Sequence, residues 1–359
     1  MSEYFLSVVI PSYNHIRFVE TAIASVIEQS LANIEIVVID DGSLDGTPLR
    51  SEELLGRQER FKWRVIRQSN QGAHAAINHG ISLARGEWIA ILNSDDRFTP
   101  TRISKMLDHA EKTGSRFVIS RVAHIDENGH PLAETTPHRY YYNWSVGNRE
   151  LYPTPNFELL RHNYAITTGN FFFHRSVFEK IGPFRDFKIC HDWDFLLRAL
   201  RVTEISFLDE ILYEYRVHSN NTINPSVQDL RYGEMDSLLS DYIRQAENSE
   251  NPLAPSFKNW GSYWLKFIQS EIPFGYLPRT AQAIQEAQNL SIQAVHTGVD
   301  FVHQEMISAA LLRSQKRALQ LQEELSNTRK YFEGQLYKSL PAIIWERIKA
   351  WAKRFLALA

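Results

Sequence analysis

The first third of the chain alternates two hydrophobic rhythms. Residues 6–10 (LSVVI), 34–39 (IEIVVI), 63–66 (WRVI), 88–92 (WIAIL) and 117–119 (FVI) are short runs rich in β-branched and aromatic side chains. Such runs mark strands, and the most continuous ones mark strands buried on both faces. Between them, residues 19–27, 73–84 and 99–112 read as helices. In the first of these Ile23, Val26 and Ile27 share one side. Thr47-Pro48 and Thr99-Pro100 read as helix starts, with threonine capping and proline at the first helical position. Strands separated by helices predict an α/β, Rossmann-like fold with a mostly parallel sheet flanked by helices. Ligands of such sheets gather beyond the carboxyl ends of the strands. Three polar clusters begin there, at residues 12–14 (SYN), 40–43 (DDGS) and 93–96 (NSDD), which predicts a single site.

The pattern then changes. Glu127-Asn128-Gly129 predicts a turn, residues 140–144 (YYYNW) an aromatic cluster, and residues 171–173 (FFF) a short strand. Helices follow at 176–180 and 193–199, and extended stretches at 205–208 and 212–215. After about residue 227 helical spacing dominates, at 230–246, 263–268 and 279–289, with 251–255 as a linker and 302–332 as one long helix. The expected organisation is a unit at 1–225, a helical extension at 226–300, and a last segment at 301–359.

Composition narrows the function classes. Among 359 residues, 43% are hydrophobic and 23% charged, as in ordinary globular chains. The 39 Lys and Arg balance 42 Asp and Glu, which leaves no basic footprint for nucleic acid. A single cysteine, Cys190, excludes an internal disulfide and a thiolate zinc cluster, and suits a reducing compartment. With neither a secretory signal nor a spanning run, the expected location is cytoplasmic. The terminal stretch 341–359 places Ile344, Ile348, Trp351, Phe355 and Leu358 on one helical face, among Arg347, Lys349, Lys353 and Arg354. Such a helix suits an anionic membrane surface, or packing against the catalytic unit or a second subunit. The first alternative would make the protein peripheral on the inner face of the cell membrane.

The polar clusters carry the chemistry. Asp40 and Asp41 can accept from a base N–H or a ribose hydroxyl, or serve a turn. Asp95 and Asp96 are adjacent carboxylates suited to Mg²⁺ or Mn²⁺. Asp192 stands before a helix as a general base or a cap. Arg216 and His218 alternate with Tyr215 and Val217, so the two share a face. Neither a phosphate-binding lysine loop nor a three-glycine dinucleotide turn is present.

In order, these segments resemble the family 2 glycosyltransferases of the GT-A fold over roughly residues 5–220. The resemblance runs through VVIPSYN (8–14), VIDDGS (38–43), residues 72–78, RGEW (85–88) and LNSDD (92–96). It continues through TGN (168–170), FEKIGPF (178–184), HDWD (191–194) and YRVH (215–218). It implies a nucleotide-diphosphate-sugar donor, usually a UDP-sugar, a divalent cation (Mn²⁺ or Mg²⁺), and inverting transfer to a glycan or lipid-linked acceptor. Asp41 would meet the base in a pocket lined by Pro11 and Tyr13. Asn93, Asp95 and Asp96 would serve ribose, diphosphate and metal, Asp192 would be the base, and His218 would meet metal or diphosphate. Asn93 replaces a usual Asp, which weakens charge and keeps a hydrogen bond for ribose, and His191 replaces a usual Glu, which points to a changed acceptor. A non-catalytic sugar-nucleotide-binding module, a scaffolding protein and a metal-dependent nucleotidyltransferase are the alternatives.

Overall fold

The computed structural model describes residues 4–31, 33–219, 221, 227–272 and 277–296. Its first half alternates β1 (Tyr4–Ser12), α1 (Val19–Ile27), β2 (Ile34–Asp40), α2 (Thr47–Gly56), β3 (Lys62–Arg67), α3 (Ala73–Leu83) and β4 (Gly86–Ile91). A two-residue strand, β5 (Arg97–Phe98), precedes α4 (Arg102–Thr113) and β6 (Phe117–Ile125). Then come α5 (Pro137–Asn148), α6 (Asn156–Leu159), β7 (Phe172–His174), α7 (Arg175–Ile181), α8 (His191–Leu200) and β8 (Ile205–Arg216). Helices α9 (Gln228–Gln245), α10 (Phe257–Trp260), α11 (Ser262–Ser270) and α12 (Pro278–His296) follow.

The eight strands form one sheet in the order β3-β2-β1-β4-β7-β6-β8-β5. β3, β2, β1 and β4 are parallel, as are β6 and β8. β7 is antiparallel to both of its neighbours, and β5 to β8, so the sheet is mixed beyond β4. Every residue of β2 is buried, which is why its sequence is almost wholly apolar. One continuous apolar core runs from the sheet into α9, α11 and α12, through Met235, Leu239, Trp264, Phe267 and Ile284.

Several local expectations shift. Helix α2 is entered through Gly46 at φ +87°, and Asp45 accepts from the Thr47 N–H (3.0 Å), so Thr47 is inside the helix and does not cap it. Helix α4 starts after Thr101, two residues beyond the Thr99-Pro100 signal. The two extended stretches expected at 205–208 and 212–215 are one strand, β8, whose register against β6 slips around Arg121. That bulge breaks the apolar alternation and so hides the continuity from the sequence. Residues 251–255 are not a loose linker, because buried Asn251 donates to the Leu200 carbonyl (2.8 Å). The long helix expected at 302–332 and the basic helix at 341–359 lie outside the described residues. Among the described residues no helix is long and apolar enough to cross a membrane.

Candidate active site

Beyond the carboxyl ends of β1, β2 and β4 lies a cleft of about 600 Å³, within the usual range of a small-molecule site. Pro11, Tyr13, Asp41, Asn93, Asp95 and Asp192 all line it. The first two polar loops are stitched together: the Asn14 N–H donates to Ser43 Oγ (2.8 Å), and Asn14 Oδ1 accepts from the Leu44 N–H (2.9 Å). Asn14 itself holds φ +53°, a conformation asparagine tolerates better than most residues.

Asp41 does more than line the wall. Its Oδ1 accepts from Gln68 Nε2 (2.8 Å) and the Gln71 N–H (2.9 Å), and its Oδ2 from the Gly72 N–H (2.8 Å). The carboxylate thus shapes the entry to α3, where Gly72 sits at φ +94°. Asn93 is committed similarly, accepting from Thr168 Oγ1 (3.1 Å) and donating to Asp96 Oδ2 (3.2 Å).

The adjacent acids Asp95 and Asp96 part company. Asp95 Oδ2 faces His218 Nε2 at 3.0 Å and His15 Nε2 at 3.8 Å. Burial opposes the charge on Asp95, but the His218 hydrogen bond and the nearby His15 outweigh it and hold the carboxyl below its usual range. Asp96 is fully buried and does not reach the cleft wall. Its Oδ2 accepts from the Tyr213 hydroxyl (2.6 Å) and its Oδ1 from the Arg216 N–H (2.7 Å). Burial, and then the charge of Asp95, push the Asp96 carboxyl well up. The expected metal-binding role of Asp96 therefore gives way to a structural one. Arg216 is likewise turned inward, donating to the carbonyls of Asp95 (2.7 Å) and Asp126 (3.1 Å).

Within the described residues, His15, Asp95 and His218 form a cluster able to hold a cation, with ligand atoms within 4.8 Å of one another. His15 was not singled out from the sequence. The available signal was its position, directly after the first polar cluster on the same sheet edge as Asp95. Its Nδ1 pairs with Ser94 Oγ (2.8 Å), and a proton placed there leaves the Nε2 lone pair for a metal. Two imidazoles and one carboxylate fit a divalent transition ion better than Mg²⁺, which prefers oxygen ligands.

Across the cleft stands Asp192, in the first turn of α8. Asn163 Nδ2 donates to its Oδ2 (2.8 Å) and the Trp193 N–H to its Oδ1 (2.7 Å). Burial nevertheless pushes the carboxyl up to about 7. Its helix neighbour Asp194 instead pairs with Arg185 and Arg198, and His191, driven down to about 4 by burial, is a neutral imidazole on the wall. Buried Cys190 is pushed up, away from thiolate chemistry. Glu234 of α9, also missed in the sequence, accepts from the N–H groups of Lys188 (2.7 Å), Ile189 (2.9 Å) and Cys190 (2.9 Å). It braces the segment that delivers Asp192.

A family model, glycosyl transferase family 2, matches residues 7–182. An uncharacterised glycosyltransferase of Rickettsia typhi is 30% identical over 248 residues, covering 68% of this chain and 73% of that one. The chain belongs to glycosyltransferase family 2. Solved structures agree on the fold of this family member. S. aureus TarS 1–349 in complex with UDP-GlcNAc superposes with a TM-score of 0.52 at 16% identity, covering 82% of this chain and 92% of that one. The mannosyltransferase PcManGT from Pyrobaculum calidifontis, in complex with GDP-Man and Mn²⁺, gives 0.51 at 16% identity, covering 88% and 86%. The sheet and flanking helices are thus the GT-A fold, and the family's activity is transfer of a sugar from a nucleotide-diphosphate-sugar.

Proposed function

We propose that this glycosyltransferase uses a UDP-sugar, inverts the anomeric centre, and serves synthesis of a cell-surface polysaccharide or glycoconjugate. The observation that carries the chemistry is the cleft that Asp192 shares with His15 and Asp95, with His218 set behind Asp95 to complete the cluster. The acceptor hydroxyl gives its proton to the Asp192 carboxylate, and its oxygen bonds to the anomeric carbon. The bond from that carbon to the diphosphate oxygen breaks, and the nucleoside diphosphate leaves with the electron pair. Bound at His15, Asp95 and His218, Mn²⁺ would supply positive charge for that leaving group. Pro11 and Tyr13 flank the base, and Asp41 holds the adjoining loop in shape. One displacement from the face opposite the leaving group inverts configuration.

The TarS complex holds UDP-GlcNAc and the PcManGT complex GDP-Man, so a UDP-sugar is tested first and a GDP-sugar beside it. A donor panel with Mn²⁺, read by nucleoside diphosphate release, is the direct experiment. The expected result is turnover of a UDP-sugar. Release of pyrophosphate instead would identify a nucleotidyltransferase, and binding without turnover with any acceptor would identify a binding module.

A further inference from the structure

The residue that holds Asp192, Asn163, follows His162, and His162 packs against two aromatic rings of α5. Its ring centroid lies 5.0 Å from Trp144 in an edge contact and 5.5 Å from Tyr141. Tyr141 is 49% exposed, and Tyr140 beside it 64%, whereas Tyr142 is buried with its hydroxyl accepting from the Val122 N–H (2.7 Å). The aromatic cluster foreseen at 140–144 therefore divides: Tyr142 anchors the helix, Tyr140 and Tyr141 are exposed, and half-buried Trp144 packs on His162.

Helix α9 closes the other side. Glu234 ties it to the segment before Asp192, and Arg231, one turn earlier, lies on the same helix face. Among the described residues Arg231 makes no hydrogen bond or ion pair. Its charge is nevertheless felt at Asp192, at His162 and at Tyr141. Asp192 is satisfied by Asn163 and by a backbone N–H, so the guanidinium keeps its donors for something else. An arginine beside exposed rings is suited to an oxyanion carried on a saccharide or polyol, the ring stacking and the anion taking a two-pronged hydrogen bond.

We propose that Tyr141 and Trp144 of α5, with Arg231 of α9, form the acceptor subsite, and that the acceptor carries a carboxylate or phosphate near the attacking hydroxyl. This rests on the transfer reading above, which makes the Asp192 side of the cleft the acceptor side.

The test is ligand-observed NMR on the full chain, with chelator present and without donor, using glucuronate, glucose 6-phosphate and glucose as probes. At least one anionic probe should bind about tenfold or more tightly than glucose, as expected for one charge-assisted contact. Preference between the two anions identifies the group as carboxylate or phosphate. Arg231→Gln should abolish the preference, Arg231→Lys should restore part of it, and Tyr141→Ala should weaken binding of every probe. Equal binding of all three probes, or an Arg231→Gln variant that keeps the preference, would overturn the proposal. Nucleotide-sugar binding with Mn²⁺, measured on the same variants, should be unchanged. Failure of the wild type in that donor assay would sink the transfer reading alone, because the anion assay needs no donor.

Discussion

His218 Nε2 lies 3.0 Å from Asp95 Oδ2, joining the segment after β8 to the loop after β4. The contact completes, with His15, a cluster able to hold a cation, while Asp96, the next residue, is locked in place by Tyr213 and Arg216. Asp95→Asn should therefore weaken Mn²⁺-supported donor binding about tenfold or more, the scale seen when metal-site partners are lost. Asp96→Asn should leave it within about threefold and lower thermal stability instead. Calorimetric donor titrations with and without Mn²⁺ check this, and equal losses in both variants would contradict the division of roles.

His15→Ala should reduce Mn²⁺ affinity, whereas Ser94→Ala, which removes only the partner of Nδ1, should reduce it less. The measurement is displacement of a Mn²⁺ spectroscopic signal. A His15→Ala variant that binds the ion as tightly as wild type would exclude His15 as a ligand.

Asp192→Asn should lower transfer by about 10²–10⁴-fold, the span of general-base effects, with donor binding kept. Because the base must be ionised, wild-type rate should climb with pH and level off above about 7, a limb absent from the variant. Stability runs the other way. The folded carboxyl keeps its proton between the ordinary value of 3.8 and about 7, where the unfolded chain has lost it, so this group's contribution falls as pH rises through that window. Asp192→Asn should melt above wild type at pH 8, with the gap closing towards pH 4.

Glu234→Ala should lower the rate more than it raises the donor KM, since the carboxylate touches the segment carrying Asp192 and not the donor loops. Steady-state kinetics separates the two. A change confined to KM would show that the brace acts on donor binding.

A Cβ on Gly169 would lie 1.8 Å from the Tyr213 hydroxyl, the group that holds Asp96. Gly169→Ala should cost about 1–3 kcal/mol, the usual range for overpacking. Adding Tyr213→Phe should recover part of it. Denaturant unfolding of the two single variants and the double variant tests this coupling.

Much of the fold was legible because its signals are local. β1, α1, β2, α3 and β4 announce themselves by periodicity, and their alternation dictates a layered sheet whose loops share an edge. Asp192 and Asp95 were legible for the same reason, each standing at the end or start of a recognisable element. The bulged strand β8, the antiparallel insertion of β7 and the tiny β5 were not, because pairing between distant segments leaves no period in either one.

Residue order alone determined that acids, a histidine and a family pattern would meet beyond one sheet edge. It could not say which of two neighbouring aspartates faces the cleft, since consecutive side chains leaving a strand point opposite ways and only packing selects the buried one. Tertiary structure turned Asp96 and Arg216 inward, brought His15 to Asp95 from a residue separation of 80, and set Glu234 under the segment that carries Asp192. Those choices rest on burial and on hydrogen bonds between residues far apart in the chain, which exist only once the chain has closed on itself.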